Sequence, residues 1–410
     1  MRRFFAASVF ALVLAAAPAA LASDVLPGPQ TETDGYTRYE LLAPGSGKFH
    51  ILYEVTATSP GAKVFFNPIR RGSVSTDEHV YDRATGQPLP FSVVDDKAAR
   101  AEGLTDAEAG TDYIRVALAR PVPADGGQGR ILIDKTYQDE NSYFVDGDTI
   151  GFDRPLGIKR NTVVLPKGYE LVSCNYPSQV IQQPDGRIAI SFLNGTPAEA
   201  PLKLRARRIS LSGPVVITGG GRALDERAHQ NRDIVYFLQP PETHKFALYH
   251  DFTETRAGED KYVNVVRDGS HVEAPSARNL DTGEVLSFKI LKGDEIAAQN
   301  FPPYDRPEKI TPQSEVVGFS FPPVPQGGST RLRMSETYTD PESYKLIGPS
   351  LYFHRSFGRA LDAVVLPKGW RLTNSSIPGV ISETASGQTR IDFTNPRNDE
   401  IDVLITAERR

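Results

Sequence analysis

Apolar and polar residues alternate along most of this chain. In the stretch 48–58, Phe49, Ile51, Tyr53 and Val55 fall on one side, and His50, Glu54 and Thr56 fall on the other. A period of two is the signature of a strand with one buried face. The pattern returns at Ile114-Val116-Leu118, Ile188-Ile190-Phe192, Leu202-Leu204-Ala206, Ile391-Phe393 and Ile401-Val403-Ile405-Ala407. Turn signals such as Thr85-Gly86, Asp185-Gly186 and Asp281-Thr282-Gly283 separate these runs. Helical spacing is confined to short pieces, DDKAARAEG (95–103) and ALDERAHQ (223–230). The twice-used Leu-Pro-Lys-Gly predicts a three-residue hairpin turn with a bulge, Gly taking the left-handed position.

The chain also matches itself. Thr136-Tyr137-Gln138-Asp139-Glu140-Asn141-Ser142-Tyr143 returns as Thr337-Tyr338-Thr339-Asp340-Pro341-Glu342-Ser343-Tyr344, and Val163–Gly168 returns as Val364–Gly369, both 201 residues later. Upstream, Thr56, Gly72-Ser73, Thr85-Gly86 and Phe91 return 197 residues later. Two offsets with one small insertion imply a tandem duplication rather than a short-period solenoid. The expected fold is all-β, two tandem homologous antiparallel β-sandwich domains. The boundaries are 36–208 and 232–410, joined by a linker over 209–231 and preceded by an extension over 23–35. The insertion falls near FPPYDRPEKITPQ (301–313), which reads as a longer loop.

Met1–Ala22 combines Arg2 and Arg3 with an apolar run and the small-x-small Ala20-Leu21-Ala22, so it predicts a secretory signal cleaved near Ala22 and a periplasmic or secreted protein. Apart from it, no stretch is long and apolar enough to suggest membrane insertion. Lys plus Arg is 46 against 51 for Asp plus Glu, which argues against a nucleic-acid partner. A single Cys, Cys174, excludes a disulfide framework and a cysteine-based metal site, and in this setting is expected to be buried and inert.

Asp82–Phe91 reads D-x-x-T-G-x-x-L-x-F, followed by IRVALARPVP (114–123) and ILIDKTY (131–137). In these segments each copy resembles the β-sandwich that precedes the catalytic domain in zinc aminopeptidases of the gluzincin type. The motif H-E-x-x-H is absent from the 410 residues, so the resemblance implies a sandwich without peptidase chemistry.

The paired TYxDxxSY blocks are the candidate ligand-binding residues. Tyr137, Asp139 and Tyr143 with Arg154, and Tyr338, Asp340 and Tyr344 with Arg355, offer carboxylates, hydroxyls and guanidinium forks to a sugar or an anion. Their structural reading is a strand end whose Asp takes local backbone N–H groups and pairs with the Arg of its own block. Asp146 and Asp148 resemble part of a calcium loop but lack the remaining ligands. His250-Asp251 beside Glu254 is the best histidine-based metal grouping, and His244 lies too far along the chain to join it. No G-x-S-x-G elbow or phosphate loop occurs.

These features lead to a non-catalytic extracytoplasmic interaction or scaffold protein that meets an envelope protein or a glycan. The alternatives are a glycan or small-ligand binding protein that uses the cleft between the copies or the loop ends, and a hydrolase with an unrecognised carboxylate pair assembled from both copies.

Overall fold

The structure is a computed structural model that describes residues 26–209, 226–229, 232–266, 269–296 and 311–410. The expected signal segment, Gly219–Gly221 of the expected linker and most of the stretch 301–313 expected as a longer loop lie outside the described residues. Among the described residues the fold is nearly all-β, with one short α-helix, α1 (Asp96–Ala101), started by the Asp95 carboxylate on the Ala98 N–H. Among the described residues no helix is long and apolar enough to cross a membrane.

The amino-terminal half carries β1 (Glu32–Leu41), β2 (Lys48–Ala57), β3 (Val64–Pro68), β4 (Val74–Asp82), β5 (Phe91–Val94), β6 (Tyr113–Ala117) and β7 (Gly129–Gln138). There follow β8 (Tyr143–Asp146), β9 (Thr149–Leu156), β10 (Arg160–Val164), β11 (Tyr169–Cys174), β12 (Gln179–Gln182), β13 (Ile188–Leu193) and β14 (Ala200–Arg208). The carboxy-terminal half carries β15 (Arg232–Leu238), β16 (Lys245–Glu254), β17 (Lys261–Val265), β18 (His271–Asn279), β19 (Val285–Lys292), β20 (Glu315–Ser320) and β21 (Thr330–Thr339). It closes with β22 (Tyr344–Ile347), β23 (Ser350–Phe357), β24 (Leu361–Val365), β25 (Trp370–Ser375), β26 (Val380–Glu383), β27 (Thr389–Thr394) and β28 (Ile401–Arg409).

In the first half, the order β12-β13-β10-β1-β2-β7-β4 makes a seven-stranded sheet and β11-β14-β9-β8 a four-stranded one. In the second, β26-β27-β24-β15-β16-β21-β18 runs in the same order and β25-β28-β23-β22 again forms the smaller sheet. The halves differ at β3-β6-β5, a separate three-stranded sheet. Its counterpart β17-β20-β19 joins the large sheet where Ala277 and Arg278 pair with Leu286 and Val285.

Alternation decides which face is buried. Phe49, Ile51, Tyr53, Val55 and Ala57 of β2 all point into one core, while Glu54 and Thr56 face outward. Tyr39, Phe49 and Phe152 pack tilted or edge-on between the two sheets of the first half at ring separations of 5.3–6.2 Å. Tyr236, Phe246 and Phe353 do the same in the second, at 5.7–6.0 Å. The main buried apolar cluster of each half draws on that half alone.

Two expectations are corrected. The sheets are mixed, because β1 pairs with β10 and β15 with β24 in parallel. The chain reaches β10 from β9 of the opposite sheet, and this crossing sets its direction. For a related reason Leu-Pro-Lys-Gly is not a hairpin turn. It carries the chain from β10 to β11, which belong to different sheets, with Gly168 and Gly369 both at φ 82° as the left-handed reading requires.

Candidate ligand cleft

The TYxDxxSY residues are brought together within each half. Asp139 accepts from the Asn141 and Ser142 N–H groups and from Ser142 Oγ at 2.7 Å, and its Oδ2 lies 3.1 Å from Arg154 Nη1. The Arg154 guanidinium sits over the rings of Phe49 and Tyr137. Asp340 accepts from the Ser343 N–H, and its Oδ2 lies 2.9 Å from Arg355 Nη1 and 3.1 Å from Ser270 Oγ. Burial works against both carboxylates, yet the Ser hydrogen bonds and the guanidinium hold them below the usual range. Tyr143 and Tyr344 donate across the hairpins to the carbonyls of Leu42 and Gln239. Tyr137 and Tyr338 are buried beside them, Tyr338 accepting from Asn264 Nδ2 at 3.1 Å. All eight residues are buried, and the ion pairs tie the two turns to β9 and β23, the second strands after them.

Asp146 and Asp148 flank Gly147 in the exposed β8–β9 turn. His250 points into the core and Asp251 to the other face of β16, so they cannot share a metal. Among the described residues no group of three His, Cys, Asp or Glu is placed to hold a metal ion. Cys174 is half-buried rather than buried, its Sγ 3.5 Å from Ser178 Oγ.

The outer faces of the two large sheets enclose a cleft of about 580 Å³. Matched positions line it from both sides: Glu54 and Asp251, Thr56 and Thr253, Arg130 and Arg331. Two sets of contacts hold the walls apart at a fixed spacing. On one flank Arg130 grips Asp281 and Ser329, the Gln128 N–H donates to Leu280 O, and the Ser329 N–H donates to Ala84 O. On the other, Glu226 accepts from Tyr36, Thr162 and Ser191 of the first half. The adjoining Arg227 donates to the carbonyls of Gly358 and Asn395 of the second.

Inside, cations and anions are interleaved. Arg333 makes a two-point contact with Asp251 at 2.8 and 2.9 Å and lies 4.1 Å over the Tyr249 ring. Arg331 donates to Thr253 Oγ1 and Asp233, and Asp233 also takes Arg160 from the first half. Burial works to raise the Glu54 carboxyl, but His229, Arg83 and Arg130 outweigh it and hold it low. Such fixed donor–acceptor pairs can exchange hydrogen bonds with a polar ligand without rebuilding the walls.

Asp362 borders the cleft through its strand but faces inward beside Ile234 and Phe393. It is 3% exposed, and among the described residues neither carboxylate oxygen has a hydrogen-bond partner. Burial pushes its pKa up to about 8 against the opposing pull of Arg359 and Arg227. Sequence periodicity does not pick out the cleft residues, because they occupy outward strand positions that read as a solvated face. The available signal is the recurrence of Glu54 and Arg130 as Asp251 and Arg331.

Neither a protein-family model nor a curated protein matches the chain. Among solved structures, an aminopeptidase N family protein from Idiomarina loihiensis is similar at 10% identity and a TM-score of 0.26, over 43% of this chain and 29% of that one. An M1 zinc metallopeptidase from Deinococcus radiodurans is similar at 11% identity and a TM-score of 0.29, over 45% of this chain and 44% of that one. The likeness spans less than half of either solved chain, and it is to these aminopeptidase-family structures that the protein bears a distant structural similarity.

Proposed function

We propose that the protein is a non-catalytic, extracytoplasmic binding protein of two tandem, duplicated β-sandwiches, exported by the signal at Met1–Ala22, whose ligand site is the cleft between the sandwiches. The ligand is a glycan or another small polar molecule. The observation that carries this reading is the cleft itself: about 580 Å³, lined by both halves, with interleaved guanidinium, carboxylate and hydroxyl groups. That volume lies in the range of small-molecule sites. The recurring strand order and the separate cores support the duplication. The test is a thermal-shift titration of the mature protein against neutral, acidic and amino sugars. A saturable rise in melting temperature, lost when Thr56→Trp fills the cleft, is expected. No saturable shift with any of them sinks the reading.

A second reading, an interaction or scaffold protein for an envelope partner, is favoured by the exposed apolar residues of β19. Val285, Phe288 and Ile290 are exposed there, as are Phe91 and Val93 of the corresponding β5. Crosslinking in the native envelope tests it. A single stoichiometric partner that is lost on Phe288→Lys supports the reading, and a partner retained by that variant refutes it.

A further inference from the structure

We propose that the cleft carries an anion subsite at the seam of the two halves, built from Lys159, Arg160 and Arg331 around Asp233, and that its ligand is an acidic sugar. This rests on the cleft reading above and deepens it. Strand register decides which charges face the ligand. Asp233 pairs with Asp251 and Leu361, and Thr253 pairs with Arg331, so these side chains share the outer face of their sheet. Arg160 reaches Asp233 from the opposite wall. Among the described residues, seven lysine and arginine side chains line the cleft, against four carboxylates that face it, Glu54, Asp233, Asp251 and Asp392. Asp281, behind the wall, takes up Arg130. Two positive charges are left over, in a chain whose formal charge is -5.

The surplus is local. Arg83, Arg333 and Arg390 each have a carboxylate, in Glu54, Asp251 and Asp392. Asp233 instead serves two guanidinium groups, Arg160 from one half and Arg331 from the other. Arg331 also lies 3.9 Å from Asp251, but Arg333 already holds that carboxylate at two points. Lys159, exposed beside Arg160, donates to a carbonyl, Thr196 O, rather than to a carboxylate. A basic cluster short of counter-ions attracts an anion, and guanidinium groups offer it paired N–H donors.

The duplication shows that the sandwich does not need these charges. Lys159 and Arg160 stand where the second copy has Ala360 and Leu361, 201 residues later. Asp233 stands where the first copy has Tyr36, 197 residues earlier. The large sheets keep the same strand order with either set. Joining the halves accounts for one arginine on Asp233, but not for the second or for Lys159. Beside the subsite, half-buried Leu361 and Tyr249 put an apolar surface on the same face, through their pairing with Asp233 and Val235. A basic seam next to an apolar floor suits a sugar acid, whose ring has an apolar face and polar edges.

The experiment is calorimetric titration of the full mature chain with two acidic sugars and their neutral counterparts. The pairs are tri-galacturonate against its full methyl ester, and glucose 6-phosphate against glucose. At least one acidic member is expected to bind about tenfold or more tightly than its counterpart, and which one does so tells a carboxylate from a phosphate. Arg160→Leu and Lys159→Ala install the residues of the second copy, and Lys159 is exposed, so its variant guards against a folding defect. The acid-to-neutral affinity ratio is expected to fall by about tenfold in Arg160→Leu and about threefold in Lys159→Ala. A wild-type ratio near one, with binding lost in Thr56→Trp, overturns the ligand class and leaves the cleft reading standing. A high ratio that neither Arg160→Leu nor Lys159→Ala lowers overturns the subsite. Binding that survives Thr56→Trp, or no binding of any probe, overturns both readings.

Discussion

Arg130 and Asp281 meet across the two halves in a buried, two-point ion pair, Nε to Oδ1 at 2.6 Å and Nη2 to Oδ2 at 2.8 Å. Nη1 of Arg130 also reaches Ser329 Oγ at 3.0 Å, so one side chain ties β7 to two loops of the other half. Removing one partner leaves a desolvated charge. Asp281→Leu is therefore expected to cost about 3–5 kcal/mol in urea unfolding, and the double variant Arg130→Met, Asp281→Leu much less. A loss in the double variant equal to the sum of the losses in Asp281→Leu and Arg130→Met alone would mean that the pair is not coupled.

The same interface depends on backbone contact. A Cβ added at Gly328 would stand 2.3 Å from Ala84 O, and one at Gly86 would stand 2.4 Å from Gly327 O. Gly328→Ala must push the halves apart locally, at a cost of about 1–3 kcal/mol. Gly147, at φ +62° in open space, is the control, where Ala costs about 1 kcal/mol through backbone strain alone. Melting temperatures of the two variants decide the point. A Gly328→Ala loss no larger than that of Gly147→Ala contradicts the close approach.

These contacts explain what could be read in the sequence and what could not. The burial of Phe49, Ile51, Tyr53 and Val55 follows from a period of two, and Asp139 and Arg154 are only 15 residues apart in one repeated block, so both were legible. Periodicity carries no strand direction, so the parallel pairs of β1 with β10 and β15 with β24 were not. Nor was the cleft. Arg130 and Asp281 are 151 residues apart, and an outward Arg on a strand looks like solvated surface until another sheet is placed over it.

Lys135 and Glu336 occupy matched positions, 201 residues apart, and both are buried. Lys135 donates to Asn67 Oδ1 at 2.7 Å, while Glu336 accepts from Asn264 at 2.8 and 3.0 Å. Burial, with Arg154 nearby, pushes Lys135 down to about 7, and burial raises Glu336. For the lysine the unfolded chain holds the proton more tightly, so stability rises as pH climbs from about 7 towards 10.5. For the glutamate the folded chain holds it more tightly, so stability falls as pH rises from 4.5 through the folded pKa. Lys135→Met should flatten the rise by about 1 kcal/mol per pH unit, and Glu336→Gln should remove the fall. Urea unfolding at pH 5, 7 and 10 reads both slopes, and unchanged slopes in the variants would locate the titration elsewhere.

Asp362 gives the sharpest linkage. Its carboxyl titrates at 3.8 when exposed and at about 8 in the folded chain. Below 3.8 both states hold the proton and folding bears no penalty. As pH rises the unfolded state ionises first, so stability drains away until the folded group ionises too, near pH 8. The loss is on the order of 6 kcal/mol at most, because a proton held only by the folded chain costs about 1.4 kcal/mol for each of the roughly four pH units climbed. Asp362→Asn removes the titrating group and installs the amide that Asn161 already carries in the other half, where it reaches a carbonyl three residues back. The variant is thus expected to match the wild type near pH 4 and to exceed it increasingly up to pH 8. Guanidinium unfolding at pH 4, 6 and 8 measures the divergence. Parallel stability profiles would show that the wild-type carboxyl is already solvated or paired, contrary to its buried, partnerless position.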